Sequence, residues 1–216
     1  MADLGVLCDQ QVLFGSVCSD ATAWRLVDAL SEERLDAIGL ARASARTRAW
    51  EQGARPERIT LDIDATLVTS HSDKDGAAGT YKGGYGFHPL LCYLDETGEA
   101  LAGLLRPGNA GANTATDHVE VLSRAVCQLP DDRPDDVLVR CDAAGATHDF
   151  LDVVGEMDFR FSVGYDLTEP VRAAILTIPE AAWTPAVEPS GDVRDGAWVC
   201  SSRSTRPRPA GPRRHA

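Results

Sequence analysis

Nowhere in the 216 residues is there an apolar run approaching the roughly eighteen that a membrane-spanning helix needs. The opening, MADLGVLCDQQVLFGS, lacks both the basic stretch and the continuous apolar stretch of a secretory leader. The chain is therefore expected to be soluble and cytoplasmic, with no membrane partner. No C-x-x-C pair links Cys8, Cys18, Cys92, Cys127, Cys141 and Cys200, and no H-x-x-x-H spacing links His71, His88, His118, His148 and His215. A zinc ribbon and a thioredoxin-like site are thereby excluded, and the thiols read as reduced, mostly buried packing residues. Aromatics make up only 6% of the chain, too few to favour the sugar-stacking cleft of a carboxylate-pair glycosidase. Positive charge is also short: the formal net charge of -12 argues against a generic nucleic-acid binder. The imbalance is uneven, because residues 200–216 hold five arginines and no acid, leaving 16 basic against 33 acidic residues, or -17, in the body.

What the chain does contain is ordered. Ser19-Asp20 ahead of ATAWRLVDAL, and Ser31 ahead of EERLDAIGLARASARTRAW, supply caps, acidic first turns and late arginines, which predict two helices. The cluster Arg42, Arg46, Arg48, Arg55 and Arg58 reads as a solvated helix face, with DNA contact as the alternative. From Ile59 the pattern turns to β. One strand is expected over residues 57–70, then two strands within 80–108 joined by a hairpin turn at Asp95-Glu96-Thr97-Gly98. An amphipathic helix over 115–129, a strand over 136–144, a helix from Thr147, a strand over 159–167 and a helix over 169–176 complete the order β-β-β-α-β-α-β-α. A three-stranded meander followed by alternating strands and helices predicts a mixed α/β sheet flanked by helices, in the order of a ribonuclease H-like core.

Within this pattern the stretch ITLDIDATLVTSH stands out, because two aspartates interrupt an otherwise apolar strand. A carboxylate in the middle of a sheet is costly unless paired or bound to a cation. Asp62 and Asp64 are two residues apart and so share one face. The strand VLVRC leads into Asp142, small residues and a helix. Two adjacent strands that each present an aspartate near the sheet centre suit Mg²⁺, which takes few carboxylates and keeps its waters. Local roles suit the same residues: Asp64 as an acceptor for Thr66 and nearby backbone, Asp142 as a cap or turn residue at the Ala143-Ala144-Gly145 bend.

The segments LDIDATLV, YGFHPLLCYLDETGEALAGLLRPGNAGA and VLVRCDAAGATHDFL resemble the DDE transposases of bacterial insertion sequences, in the group with a β insertion in the ribonuclease H-like catalytic core. The resemblance runs from about Leu4 to Val199. It implies that Asp64, in D-A-T, is the first catalytic and metal-binding carboxylate and Asp142, in R-C-D-A-A-G, the second, with Asp62 supporting. It also implies Mg²⁺ or Mn²⁺ as cofactor, transposon ends and target DNA as partners, and strand cleavage followed by strand transfer. The R-P-G-N segment, Arg106 to Asn109, matches a stretch after the third strand and reads on its own as a Pro-Gly turn.

The expected organisation is a helical segment over 1–58, an incomplete catalytic core over 59–178, the start of a β insertion over 179–199, and a basic tail over 200–216. The tail composition predicts disorder, and its abrupt onset after AWV suggests translation of a shifted frame. The third catalytic carboxylate is expected beyond the insertion, with the last catalytic helix missing; Glu180, in IPEAAW, is the less favoured candidate. A truncated transposase that binds Mg²⁺ weakly and cuts DNA poorly or not at all is the leading expectation. The alternatives are a self-contained nuclease using Glu180 and a non-catalytic module that pairs with itself or with full-length transposase.

Overall fold

The computed structural model describes residues 4–111 and 114–200. Its chain divides after Tyr165 into two compact units. The first opens with four helices, α1 (Leu4–Cys8), α2 (Gln11–Phe14), α3 (Asp20–Asp28) and α4 (Glu32–Ala49). The Ser19 hydroxyl caps α3 by accepting from the Thr22 amide. Of these four helices only α4 buries a residue, Arg46. Next come the strands β1 (Ile59–Ala65), β2 (Val68–Thr69), β3 (Ala78–Gly79), β4 (Tyr85–Phe87), β5 (Leu90–Leu94) and β6 (Glu99–Leu104). The unit closes with helix α5 (Ala115–Val126), strand β7 (Val137–Cys141), helix α6 (His148–Glu156) and strand β8 (Arg160–Val163).

A five-stranded sheet in the order β6-β5-β1-β7-β8 forms the centre. β1 runs antiparallel to β5 and parallel to β7, and β7 runs parallel to β8. This is the mixed α/β, ribonuclease H-like order expected from the sequence. The hairpin turn lies where composition placed it, with Leu94 opposite Glu99 and Gly98 at positive φ. One face of the sheet carries Ile59, Leu61, Ile63, Leu90, Cys92, Leu94, Val137 and Val139, all buried with Val121, Leu122 and Ala125 of α5 and Phe150 and Val154 of α6. The alternation is strict in β7, where Val137, Val139 and Cys141 are buried while Leu138 and Arg140 are only partly covered.

Two departures from expectation concern strands. The strand expected over 57–70 ends at Ala65, and Val68–Thr69 joins a separate three-stranded sheet in the order β2-β4-β3. The β2–β4 pairing depends on Gly86 (φ 153°), where a Cβ would lie 2.0 Å from the Val68 carbonyl oxygen. Only glycine permits that approach. The first strand expected within 80–108 is likewise broken into β4 and β5.

The second unit holds helix α7 (Glu169–Leu176), a short helical turn at Glu180–Ala182, and the antiparallel strands β9 (Thr184–Val187) and β10 (Val193–Val199). These two strands are the paired pieces expected around Pro-Ser-Gly-Asp. Helix α7, which buries none of its residues, groups with the C-terminal unit. The tail expected to be disordered or frameshifted lies, from Ser201 on, outside the described residues. Among the described residues no helix is long and apolar enough to cross a membrane.

Candidate metal centre

Parallel pairing of β1 with β7 sets Asp62 opposite Arg140 and Ile63 opposite Cys141. The next residue on each chain is an aspartate, Asp64 and Asp142. Ile63 and Cys141 point into the core, so the following pair leaves it on the opposite side. Both aspartates are exposed. The structure thus brings the two expected site residues to the same level of neighbouring strands, at the C-terminal edge where both strands stop.

Local backbone groups fix one oxygen of each carboxylate. Asp64 Oδ1 accepts from the Ala65 amide at 2.8 Å, and Asp142 Oδ1 accepts from the Ala144 amide at 2.9 Å. The cap role open to Asp142 is therefore real, whereas the Thr66 amide donates to Pro89 and not to Asp64. Among the described residues neither Oδ2 has a hydrogen-bond partner. The turn after Asp142 also depends on a close approach: a Cβ at Gly145 would lie 2.5 Å from Cys141 Cβ. Cys141 beneath them registers the clustered charge. Burial, followed by the negative charges of Asp142, Asp62 and Asp64, pushes its thiol up to about 12.

Asp62 has another fate. Arg140 Nε and Nη2 donate to Asp62 Oδ1 and Oδ2 at 2.9 and 2.8 Å, and Nη2 also reaches Asp95 Oδ1 at 3.0 Å. Hydrogen bonding to Arg140 holds the Asp62 carboxyl below its ordinary value, against a smaller opposing effect of burial. A guanidinium therefore balances this aspartate, which the resemblance implies only as a support for the expected metal-binding pair. Arg140 was legible in principle: R-C-D and D-I-D have the same spacing, so aligning Asp64 with Asp142 on parallel strands puts Arg140 opposite Asp62.

The N-terminal arginine cluster is solvated, as expected, at Arg42, Arg48, Arg55 and Arg58, which are exposed, and departs from that expectation at Arg46. Arg46 is buried and donates to both Glu99 oxygens and, by a short contact, to the Gln128 carbonyl. Arg42 shares Glu99, Arg55 meets Asp132, and Arg58 meets Glu96. Of the six free cysteines, only Cys92 and Cys141 are buried. Glu180 lies in the second unit, exposed, beside a cavity of about 460 Å³ that it lines with Trp183 and Trp198. Among the described residues no three His, Cys, Asp or Glu side chains gather as a metal cluster.

With the geometry set out, comparison with known proteins is decisive at the level of family. The family model for the transposase DDE domain, group 1, matches residues 3–208. This chain belongs to that family. No curated protein matches it. Solved structures similar to this DDE domain include the catalytic domain of Mos1 mariner transposase, at 11% identity over 65% of each chain with a TM-score of 0.37. The piggyBac transposase synaptic complex aligns at 13% identity over 62% of this chain and 29% of that one, with a TM-score of 0.42. The HTLV-2 integrase catalytic core with magnesium aligns at 13% identity over 65% of this chain and 94% of that one, with a TM-score of 0.35. The DDE domain thus spans less than two thirds of the length of either transposase chain.

Proposed function

We propose that the DDE domain works in DNA transposition, with Asp64 and Asp142 as the two carboxylates that hold a catalytic Mg²⁺, for which Mn²⁺ can substitute. The observation carrying this reading is the register of β1 on β7, which presents both exposed aspartates side by side on adjacent strands. The donor set fits: hard oxygen ligands, one oxygen of each carboxylate oriented by an amide, and solvent access for the waters that Mg²⁺ retains. A bound divalent ion would supply Lewis-acid charge for both the attacking and the leaving oxygen of a phosphodiester.

The reaction is an in-line displacement. A water or a DNA 3′-hydroxyl forms the new P–O bond as the old P–O3′ bond breaks, and the departing 3′-oxygen takes up a proton. The residues of this chain set the frame. The Ala65 and Ala144 amides hold each carboxylate in one orientation, and the Arg140 guanidinium keeps Asp62 occupied two residues away. The DNA substrates are transposon ends and target DNA, and the assembly is a dimer with itself or with full-length transposase.

Two carboxylates alone make a weak site, so metal affinity is low and cleavage poor. Titration calorimetry with Mn²⁺ on the wild-type chain, Asp64→Asn and Asp142→Asn tests this directly. Weak binding that both substitutions abolish, with melting temperatures unchanged, is expected; equal binding by all three chains rejects the site. Glu180 supports a second reading, because its exposed carboxylate lines an open cavity. A Mg²⁺-dependent nicking activity lost in Glu180→Gln would establish a self-contained nuclease.

A further inference from the structure

The sequence has only two lysines, Lys74 and Lys82, and both fall in the three-stranded extension formed by β2, β3 and β4. Both are exposed, and among the described residues neither enters an ion pair. Most arginines of the same unit, among them Arg42, Arg46, Arg106, Arg140 and Arg160, are tied to a carboxylate, while among the described residues Arg25, Arg34, Arg48 and Arg133 are not. Both lysines of the chain thus sit on this one extension without an ion pair, Lys74 between Asp73 and Asp75 in sequence.

Aromatic surface accompanies it. Tyr81 and Lys82 are the central residues of a turn closed by the Gly83 amide on the Thr80 carbonyl, and Tyr81 is 72% exposed. Its ring lies 5.8 Å from the ring of His88, and Lys82 Nζ is 5.5 Å from the Tyr81 centroid. His88 is buried and directly precedes Pro89, whose carbonyl accepts from Thr66, two residues after Asp64. The Tyr81 ring is thus folded back toward the end of β1 that carries the metal-site aspartate. Lys74 is fixed to the same piece, because the Tyr85 hydroxyl donates to Asp73 Oδ1 at 2.9 Å and to the Ala77 carbonyl at 3.1 Å.

The extension is braced. Gly108 of the R-P-G-N segment fits so closely that a Cβ would lie 2.4 Å from the Ala78 carbonyl oxygen and 2.7 Å from that of Gly86. Arg106, buried, donates to the His88 and Gly111 carbonyls and to Asp117. An exposed ring held beside unpaired ammonium groups is the combination that takes a base on its face and phosphates at its sides.

We propose that this extension grips an unpaired DNA strand beside the aspartates, with Tyr81 stacking on one base and Lys74 and Lys82 meeting adjacent phosphates. The proposal rests on the nucleic-acid reading of the metal site and names the residues that hold its substrate. Its test is fluorescence anisotropy of a labelled oligo-dT strand with the full chain in EDTA, across a series of salt concentrations. Lys74→Gln with Lys82→Gln should flatten the slope of log affinity against log salt by about 1.4, two phosphate contacts at roughly 0.7 each. Tyr81→Leu should weaken binding about tenfold with the slope unchanged. Unaltered affinity and slope in these variants overturn the proposal, as does binding abolished only when the five arginines of residues 203–214 are replaced by glutamine. Because EDTA removes any metal, a negative result here leaves the Mn²⁺ titration of Asp64 and Asp142 to be judged on its own.

Discussion

The two faces of the five-stranded sheet are built from the same strands, yet obey opposite rules. On one, Ile59, Leu61, Ile63, Val137 and Val139 are removed from water against α5 and α6. On the other, Asp62, Asp64, Tyr93 and Arg140 sit at alternate positions of those strands and their neighbours, partly or fully open to solvent. The first face carries the buried core, and the second carries the proposed chemistry. Period-two alternation lets one strand serve both, so that a carboxylate two atoms from the core costs little as long as it points outward.

Substitutions that break this division should differ in size accordingly. Phe150, fully buried where α6 meets the core, should cost about 3–5 kcal/mol when replaced by alanine, read as a lower denaturation midpoint in urea. Glu99→Ala comes next. It strips the buried Arg46 of its carboxylate partner, and a loss of about 3 kcal/mol is expected in the same measurement. The smallest effect is on the open face. Asp62 has a lowered folded pKa, so its ion pair with Arg140 contributes in full above the ordinary carboxylate value near 4 and is lost as pH falls through the lower folded value. Both partners are more than a third exposed, so solvent screening limits the contribution to less than about 1 kcal/mol. Melting curves of wild type and Asp62→Asn should therefore be separated by one to a few degrees at pH 7 and converge toward pH 3. A large, pH-independent gap would show that the open face carries packing as well.

The buried face was legible because it rests on periodicity, which a single sequence displays. The hairpin at Asp95–Gly98, the helix over Glu169–Leu176 and the β1-to-β7 framework follow from turn chemistry, caps and alternation. The two aspartates proposed as the site were legible as candidates for the same reason, as polar breaks in an apolar rhythm. Less visible was anything decided by a partner distant in the chain. Arg46 looks like surface charge until Glu99 and the Gln128 carbonyl close around it, some 53 and 82 residues further along. The small β2-β4-β3 sheet was hidden because its pairing rests on a close backbone approach at Gly86, which composition does not display.

The alignment of β7 beside β1 also sets the tolerance of the proposed metal site to folding errors. Were β7 displaced by a single residue, the thiol of Cys141 would turn to the solvent and the charge of Asp142 would be driven among Ile63, Phe150 and their neighbours. No intermediate offset exists between those outcomes. A chain that buries Val137, Val139 and Cys141 has, by the same act, turned Asp142 to the face that carries Asp64.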